Sequence, residues 1–380
     1  MTVGVDLRVL AKGTRTGIEE YALNLLSRLL SLDKSVKFKL FYNAFNKIEL
    51  EYDWLRLPNV ELQRFSWPNR FALDPLAKFF NQPKIDRLLG GVDVFWAPHF
   101  LLSPVSAKCR YVLTFHDLSF EYFPEFFPWR KRFWHATLTP KSRARQAQKI
   151  IAVSQSTKDD LMDWYQVPAA KIKVIHSGVG EEFKPLAPER GQQIKQKYNL
   201  PDNFILYFGT LEPRKNLTGL IAAYEIFRDK LAGQNRPPKL VLAGSRGWLA
   251  GQILRAAKNS RYNQDIILPG FIEPADKVYL YNLATLFVYP SFFEGFGFPP
   301  LEAMACGVPT VTSHTSSFPE VVGDSALMVD PYNFEELAWA IKEVWQDEAL
   351  RSEMAAKGLA RAKNFSWQKC AEETLDFLIS

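Results

Sequence analysis

A chain of 380 residues is long for one domain and comfortable for two, and at 47% hydrophobic content it has apolar residues enough for real cores. Its three cysteines, Cys109, Cys306 and Cys370, lie far apart in no C-x-x-C pair, which argues against a disulfide framework or a cysteine zinc site and fits a reducing compartment. The net charge of +6 is uneven: residues 1–180 hold 26 lysines and arginines against 17 acids, and residues 181–380 hold 21 against 24. The basic first half invites an anionic membrane, an anionic substrate or nucleic acid, or is simply a solvated surface. No apolar run is long enough to span a bilayer, and MTVGVDLRVL lacks the pattern of a secretory signal, so a cytoplasmic location is expected.

In chain order, residues 2–6 read as a first strand, followed by a loop carrying Gly13 and Gly17. A helix follows, with Ile18, Tyr21, Ala22, Leu25 and Leu29 at helical spacing. The loop has no G-x-G-x-x-G, so Gly17 is either a plain turn glycine or an amide close to a phosphate. Residues 36–43 alternate like a second strand, and the proline- and aromatic-rich stretch 53–84 resists placement. Residues 92–98 and 109–117 read as buried parallel strands. KIIAVSQSTKDDLMDWY reads as strand, serine turn and helix with Ser154 or Ser156 as N-cap, and residues 171–178 as one more strand. A linker-like stretch at 178–188 ends this first βα array.

A second array follows, with strands expected at 203–210, 239–245, 266–271, 286–290 and 308–313. The chain from Phe334 onward reads as helical, with a break near Asn364–Ser366 and Ser366 capping a last helix. Polar punctuation gathers at the carboxyl ends of these strands, where ligands of open α/β sheets bind. In the Glu294–Gly297 loop and the helix after it, Pro299 and Pro300 mark the helix entrance and Gly307 its exit, which places Glu302 in the first helical turn.

Arg214 and Lys215 offer a forked guanidinium and a point cation suited to a diphosphate, or form an ordinary basic turn. Glu294 and Glu302 can be read as the paired carboxylates of a glycoside hydrolase, or as acceptors for sugar and ribose hydroxyls; Glu302 is equally a first-turn acid favoured by the helix dipole. His116, at the end of a buried strand and followed by Asp117, is a substrate contact, a proton-transfer group or a satisfied polar residue. The five histidines show no metal-ligand spacing. Aromatics and cations alternate over Tyr122–Trp134, and Lys141, Arg143, Arg145 and Lys149 follow. The mixture suits a membrane interface, single strands of nucleic acid, or an amphipathic helix packed inside the domain.

Together these residues resemble the GT4 family of retaining glycosyltransferases. The resemblance spans nearly the whole chain: Gly17-Ile18, FHD at 115–117, AVSQST at 152–157, VIHSGV at 174–179, GTLEPRKN at 209–216, LAGS at 242–245 and EGFGFPPLEAMACGVPTV at 294–311. The last run matches the family's pairing of two glutamates with seven residues between them. HSG at 176–178 stands where many members have proline-asparagine-glycine.

The resemblance implies the α/β GT-B fold, two Rossmann-like domains facing a cleft. Residues 1–180 would form the acceptor-side domain, 181–362 the nucleotide-sugar domain, and 363–380 a helix crossing back to the first. Arg214 and Lys215 would hold the donor diphosphate, Glu302 the ribose and Glu294 the sugar hydroxyls. Gly17, Gly209, Gly295, Phe296 and Gly297 would line the donor, and His116 would contact the sugar near the reacting carbon. No metal or other cofactor is implied, because fixed cations and helix dipoles take the leaving-group charge.

The serine-rich loop at 313–320 resembles bacterial mannosyl- and deoxyhexosyltransferases. GDP-mannose is the donor expected on that likeness. A glycan or lipid-linked glycan of surface polysaccharide synthesis is the acceptor expected, with peripheral contact at the inner membrane face and no nucleic-acid partner. A sugar-nucleotide epimerase and an inactive sugar-nucleotide-binding module are the alternatives.

Overall fold

The computed structural model describes residues 1–12, 17–44, 50–68, 73–187, 190–231 and 237–380. Gly13, named above in the first loop, lies outside them. The chain divides into two compact units. The first comprises Met1–Leu118, Arg130–Gly178 and Ser366–Ser380; the second comprises Ser119–Trp129 and Val179–Phe365.

The first unit is built on a seven-stranded parallel sheet: β1 (Thr2–Asp6), β2 (Lys37–Asn43), β3 (Val60–Phe65), β4 (Val94–Ala97), β5 (Arg110–Phe115), β6 (Lys149–Ala152) and β7 (Ile172–Val174). Its order is β3-β2-β1-β4-β5-β6-β7. All four residues of β4 are buried, as a central parallel strand covered on both faces requires. The indole of Trp96 in β4 donates to the Thr114 hydroxyl of β5 at 3.0 Å, so its one polar atom is satisfied inside the core. The Gly17–Leu32 helix buries Tyr21, Ala22, Leu25, Leu26, Leu29 and Leu30, a stripe at helical spacing.

The last helix, Trp367–Ile379, is capped by Ser366, whose hydroxyl accepts from the Lys369 amide at 3.1 Å. It packs on the Gly17–Leu32 helix, with Trp367 edge-on to Tyr21. Arg110 and Lys149 donate to the Ser380 and Phe377 carbonyls, placing cations where the helix leaves unpaired acceptors. Of the two expected caps after β6, the structure uses Ser154, which accepts from the Thr157 amide at 3.0 Å.

The second unit carries a six-stranded parallel sheet: β8 (Phe204–Phe208), β9 (Lys239–Ala243), β10 (Ile266–Gly270), β11 (Leu286–Tyr289), β12 (Thr310–Ser313) and β13 (Leu327–Val329). The order is β10-β9-β8-β11-β12-β13. The strand order therefore reverses between β1 and β4 in the first sheet and between β8 and β11 in the second, and such switch points open a crevice at the strands' carboxyl ends.

The aromatic stretch Ser119–Trp129, which follows β5 in sequence, packs within the second unit. Tyr122 stacks on Phe293 at 5.2 Å between centroids, Phe126 on Phe292 at 5.5 Å and Phe127 on Trp248 at 5.8 Å. The Trp248 indole donates to the Phe126 carbonyl at 2.7 Å. This half of the aromatic–cation stretch thus packs on the second unit, with Tyr122 still 37% exposed. The next helix, Trp129–Leu138, differs: Trp129 and Phe133 are 71% and 68% exposed, and Arg130, Lys131 and Arg132 beside them are exposed too.

Candidate active site

Three loops meet over the β8/β11 switch point. The first follows β8. Gly209 and Gly244, at the ends of β8 and β9, lie so close that a Cβ on Gly244 would stand 2.0 Å from the Gly209 carbonyl oxygen. Only glycine at Gly244 lets the two strand ends converge, and its φ of +131° points the same way. A single 3-10 turn, Pro213–Lys215, then presents Arg214 and Lys215.

The second loop follows β11 and is stitched to the first: the Phe292 amide donates to the Arg214 carbonyl at 3.0 Å, and the Ser291 hydroxyl oxygen lies equally close to it. The third, after β12, holds the second in place. The Ser317 hydroxyl shares its one proton between the Glu294 and Phe296 carbonyls, and the Glu294 amide donates to the Ser316 hydroxyl at 2.9 Å.

These loops bring Arg214, Lys215 and Glu294 together. Arg214 Nη1 donates to Glu294 Oε2 at 2.9 Å and to the Phe293 carbonyl at 2.7 Å. Its Nε and Nη2 donate to Glu212 Oε1 at 3.3 and 3.1 Å. Lys215 Nζ donates to Glu294 Oε1 and sits 5.3 Å from the centroid of the Tyr289 ring. Ser291 and Tyr289 donate to the same Oε1 at 2.9 and 3.2 Å. Glu212, Lys215 and Glu294 are all buried.

Burial pushes the Glu294 carboxyl upward, but Arg214 first and then Lys215 outweigh it and hold the group at about 2. Burial also lowers the Lys215 ammonium, helped by Arg214, while Glu294 and Glu212 pull it back. Oε1 takes three donors and Oε2 one, so Oε2 has a lone pair left for a ligand hydroxyl.

Glu302 stands apart from this group. The helix runs Phe298–Ala305, with Pro299 and Pro300 in its first turn. Glu302 therefore lies in the second turn, one turn later than the proline punctuation suggested, and the first-turn dipole reading lapses. Lys277 Nζ donates to Glu302 Oε1 at 2.6 Å and the Tyr281 hydroxyl to Oε2 at 2.7 Å. Lys277 and Tyr281 share one face of the Lys277–Leu283 helix at i,i+4 spacing. A hydrolase acid needs a carboxyl kept protonated near neutrality, so Glu294, held at about 2, is unfit as general acid.

Gly295, Phe296 and Gly297 form the entrance to the Phe298–Ala305 helix, Gly297 at a φ of +98°. Among the described residues, the N–H groups of Gly295 and Gly297 donate to no protein acceptor. The Phe296 side chain is buried against Phe298 and Phe365.

His116 and Gly17 belong to the first unit. His116, just past β5, donates from Nε2 to the Pro98 carbonyl at 2.8 Å, and Tyr21 meets its ring edge-on at 4.8 Å. Burial lowers its pKa against the pull of the Pro98 bond, so at neutral pH it is an uncharged imidazole with its lone pair on Nδ1. Gly17 is exposed at the start of its helix. Among the described residues no cluster of three or more His, Cys, Asp or Glu could hold a metal ion.

Glu212, Ser291, Tyr289, Lys277 and Tyr281 were not singled out from the sequence. The signal for Glu212 was present, an acid two residues before Arg214. Lys277 and Tyr281 carry no local signal, because only tertiary packing brings them to Glu302.

Residues 15–183 match the family model "Glycosyltransferase Family 4" and residues 191–361 match "Glycosyl transferases group 1". The chain is 33% identical over 368 residues to the O-antigen chain mannosyltransferase B of Escherichia coli, covering 95% of each protein. Its structure superposes on sucrose-phosphate synthase from Thermosynechococcus elongatus with a TM-score of 0.78 at 20% identity, over 99% of this chain and 98% of that one. It superposes on Anabaena Alr3699/HepE in complex with UDP-glucose with a TM-score of 0.72 at 20% identity, over all of both chains.

The two Rossmann-like units are thus those of the GT-B fold, and the protein is a sugar-transferring enzyme. The chain belongs to glycosyltransferase family 4, where it stands with the O-antigen mannosyltransferases. No helix among the described residues is long and apolar enough to cross a membrane.

Proposed function

We propose that the enzyme transfers mannose from GDP-mannose, with retention at the anomeric carbon, to a glycan or lipid-linked glycan acceptor in surface polysaccharide synthesis. The observation that carries the reading is the joined Arg214, Lys215 and Glu294 at the β8/β11 switch point. A diphosphate leaving group needs fixed cations where its charge develops, and Arg214 and Lys215 supply them without a metal or other cofactor. The Gly295 and Gly297 amides and the start of the Phe298–Ala305 helix add aligned dipoles. Glu294, ionised and with one Oε2 lone pair left, accepts from a donor-sugar hydroxyl. Glu302, oriented by Lys277 and Tyr281, accepts from the ribose diol. Gly209 keeps the β8 end low beside the donor.

In the first unit, Gly17 approaches the diphosphate and neutral His116 contacts the donor sugar near the reacting carbon. The likeness to an O-antigen mannosyltransferase at 33% identity supports mannose over other sugars. The exposed Trp129 and Phe133 among three cations support peripheral contact with the inner membrane face, since aromatic rings and basic heads suit an anionic bilayer surface. Nucleic acid has no part in this reading.

The test is nucleotide release from a panel of GDP-, UDP-, ADP- and dTDP-sugars by purified enzyme with a mannose-terminated acceptor. GDP-mannose should be turned over fastest, and NMR of the product should show the donor's anomeric configuration kept. Preference for another donor, or an inverted product, would overturn it. Epimerised donor without nucleotide release would instead mark an isomerase.

A further inference from the structure

Among the described residues of the first unit, one buried arginine makes no ion pair. Arg143, on the Pro140–Gln146 helix, is only 8% exposed. Its Nε is sealed from solvent with no hydrogen-bond partner, and its side chain pairs with no acid. The Tyr111 hydroxyl, on a side chain from the foot of β5, is likewise buried, beside the Ser103 side chain. The two groups lie within each other's field: Tyr111 supports the Arg143 charge, and Arg143 partly offsets the upward push of burial on the Tyr111 hydroxyl.

The nearby acids are already spent. Asp6, the last residue of β1, is bound by Arg8 Nη2 at 2.6 Å and by the Ser103 hydroxyl at 2.8 Å. Asp86 accepts from the Ser106 amide and hydroxyl. A second cation, Lys84, also feels Arg143: burial lowers its ammonium, Asp86 pulls it back, and Arg87 and then Arg143 add repulsion. A buried guanidinium with no acceptor is costly and persists where something accepts from it.

We propose that Arg143 and the Tyr111 hydroxyl form a binding site for a phosphoryl group, with Lys84 adding charge at its rim. The guanidinium fork gives N–H groups to phosphoryl oxygens and the phenol donates to another, the planar and point contacts that phosphate chemistry favours. Phosphoryl oxygens arrive there from a phosphate on the acceptor or from free inorganic phosphate. The acceptor source rests on the transferase reading; the site itself does not.

The experiment is a titration with inorganic phosphate, read by thermal shift and calorimetry, in wild type, Arg143→Met, Arg143→Lys, Tyr111→Phe and the Arg214→Ala/Lys215→Ala pair. Phosphate affinity should fall about tenfold or more in Arg143→Met, by about threefold in Tyr111→Phe and to an intermediate degree in Arg143→Lys, and stay unchanged in the second-unit pair. Without phosphate, Arg143→Met should melt about 2–4 °C above wild type, because an uncompensated buried charge is gone.

The proposal is overturned if Arg143→Met melts below wild type and keeps the phosphate response. It is also overturned if the response vanishes only with Arg214 and Lys215, or if wild type shows none. Acceptor kinetics separate the sources. An acceptor KM raised by Arg143→Met for a phosphorylated acceptor, and not for its dephosphorylated form, assigns the site to the acceptor. An unchanged KM with lost phosphate affinity assigns it to free phosphate. A wild type that transfers to neither acceptor counts against the transferase reading and leaves the titration to decide the site.

Discussion

Replacing Glu294 by Gln keeps its shape and removes its charge, which leaves part-buried Arg214 and buried Lys215 with one acid, Glu212, beside them. A fall from the ordinary 4.5 to about 2 corresponds to about 3 kcal/mol of stabilisation, at about 1.4 kcal/mol per pH unit. Removing one partner of a buried ion pair costs roughly 3–5 kcal/mol, so the two routes to the magnitude agree. In the unit that carries it, this amounts to a melting temperature lower by about 6–12 °C at pH 7.

The sign with pH follows from the direction of the shift. The folded value lies below the unfolded one, so the contribution is complete above 4.5 and is lost as pH falls toward 2. Urea unfolding of wild type and Glu294→Gln at pH 7, 5, 4 and 3 reads this directly: the gap between them should hold from pH 7 to 5 and narrow below. A variant as stable as wild type at pH 7, or a gap that stays constant down to pH 3, would refute the pairing of Glu294 with its two cations.

The other predictions concern separate parts of the molecule. Arg214→Ala or Lys215→Ala should each lower turnover by about 10²-fold or more, the scale of losing a donor that stabilises developing charge; unchanged turnover in folded variants removes the diphosphate role. Proton NMR should find the His116 imidazole titrating below a free histidine, because burial favours its uncharged form; titration at or above the free value would contradict its burial. Gly244→Ala should lower the yield of folded protein and the melting temperature, since its Cβ has 2.0 Å to the Gly209 carbonyl oxygen; a variant that melts like wild type would show that the strand ends separate easily.

Much of the fold was legible because central parallel strands are buried on both faces and read as unbroken apolar runs. The strands that escaped notice are β3 and β13, and each is an edge strand of its sheet. Val60–Phe65 is half exposed and broken by Glu61, Gln63 and Arg64, and Leu327–Val329 is only three residues long, so neither shows the pattern of a buried strand. At the site, the residue types that bear charge could be picked out from their place at strand ends. Their partners could not. Glu302 meets Lys277 from 25 positions earlier, and Arg214 meets Glu294 80 positions later, through contacts that local pattern does not encode. The aromatic–cation stretch shows the same limit: one composition is divided into rings stacked on the second unit at Tyr122–Phe127 and largely exposed rings at Trp129 and Phe133.

The charge balance at the β8/β11 switch point bears on how a diphosphate would be received. Two cations and two carboxylates cancel there, so an anion is not drawn by a strong net field at the site itself. What the arrangement supplies is orientation. Arg214 is held from two sides, by Glu212 on Nε and Nη2 and by Glu294 and the Phe293 carbonyl on Nη1. A guanidinium fixed in advance needs little reorganisation when charge develops on a leaving group. Lysine cannot reproduce this, because one ammonium is a point donor and does not span both carboxylates as a planar fork does. Arg214→Lys should therefore behave like Arg214→Ala, with turnover down by about 10²-fold, although the charge is kept. Wild-type turnover in Arg214→Lys would mean that charge alone suffices, and the bridge between Glu212 and Glu294 would then be structural packing rather than preparation of the cation.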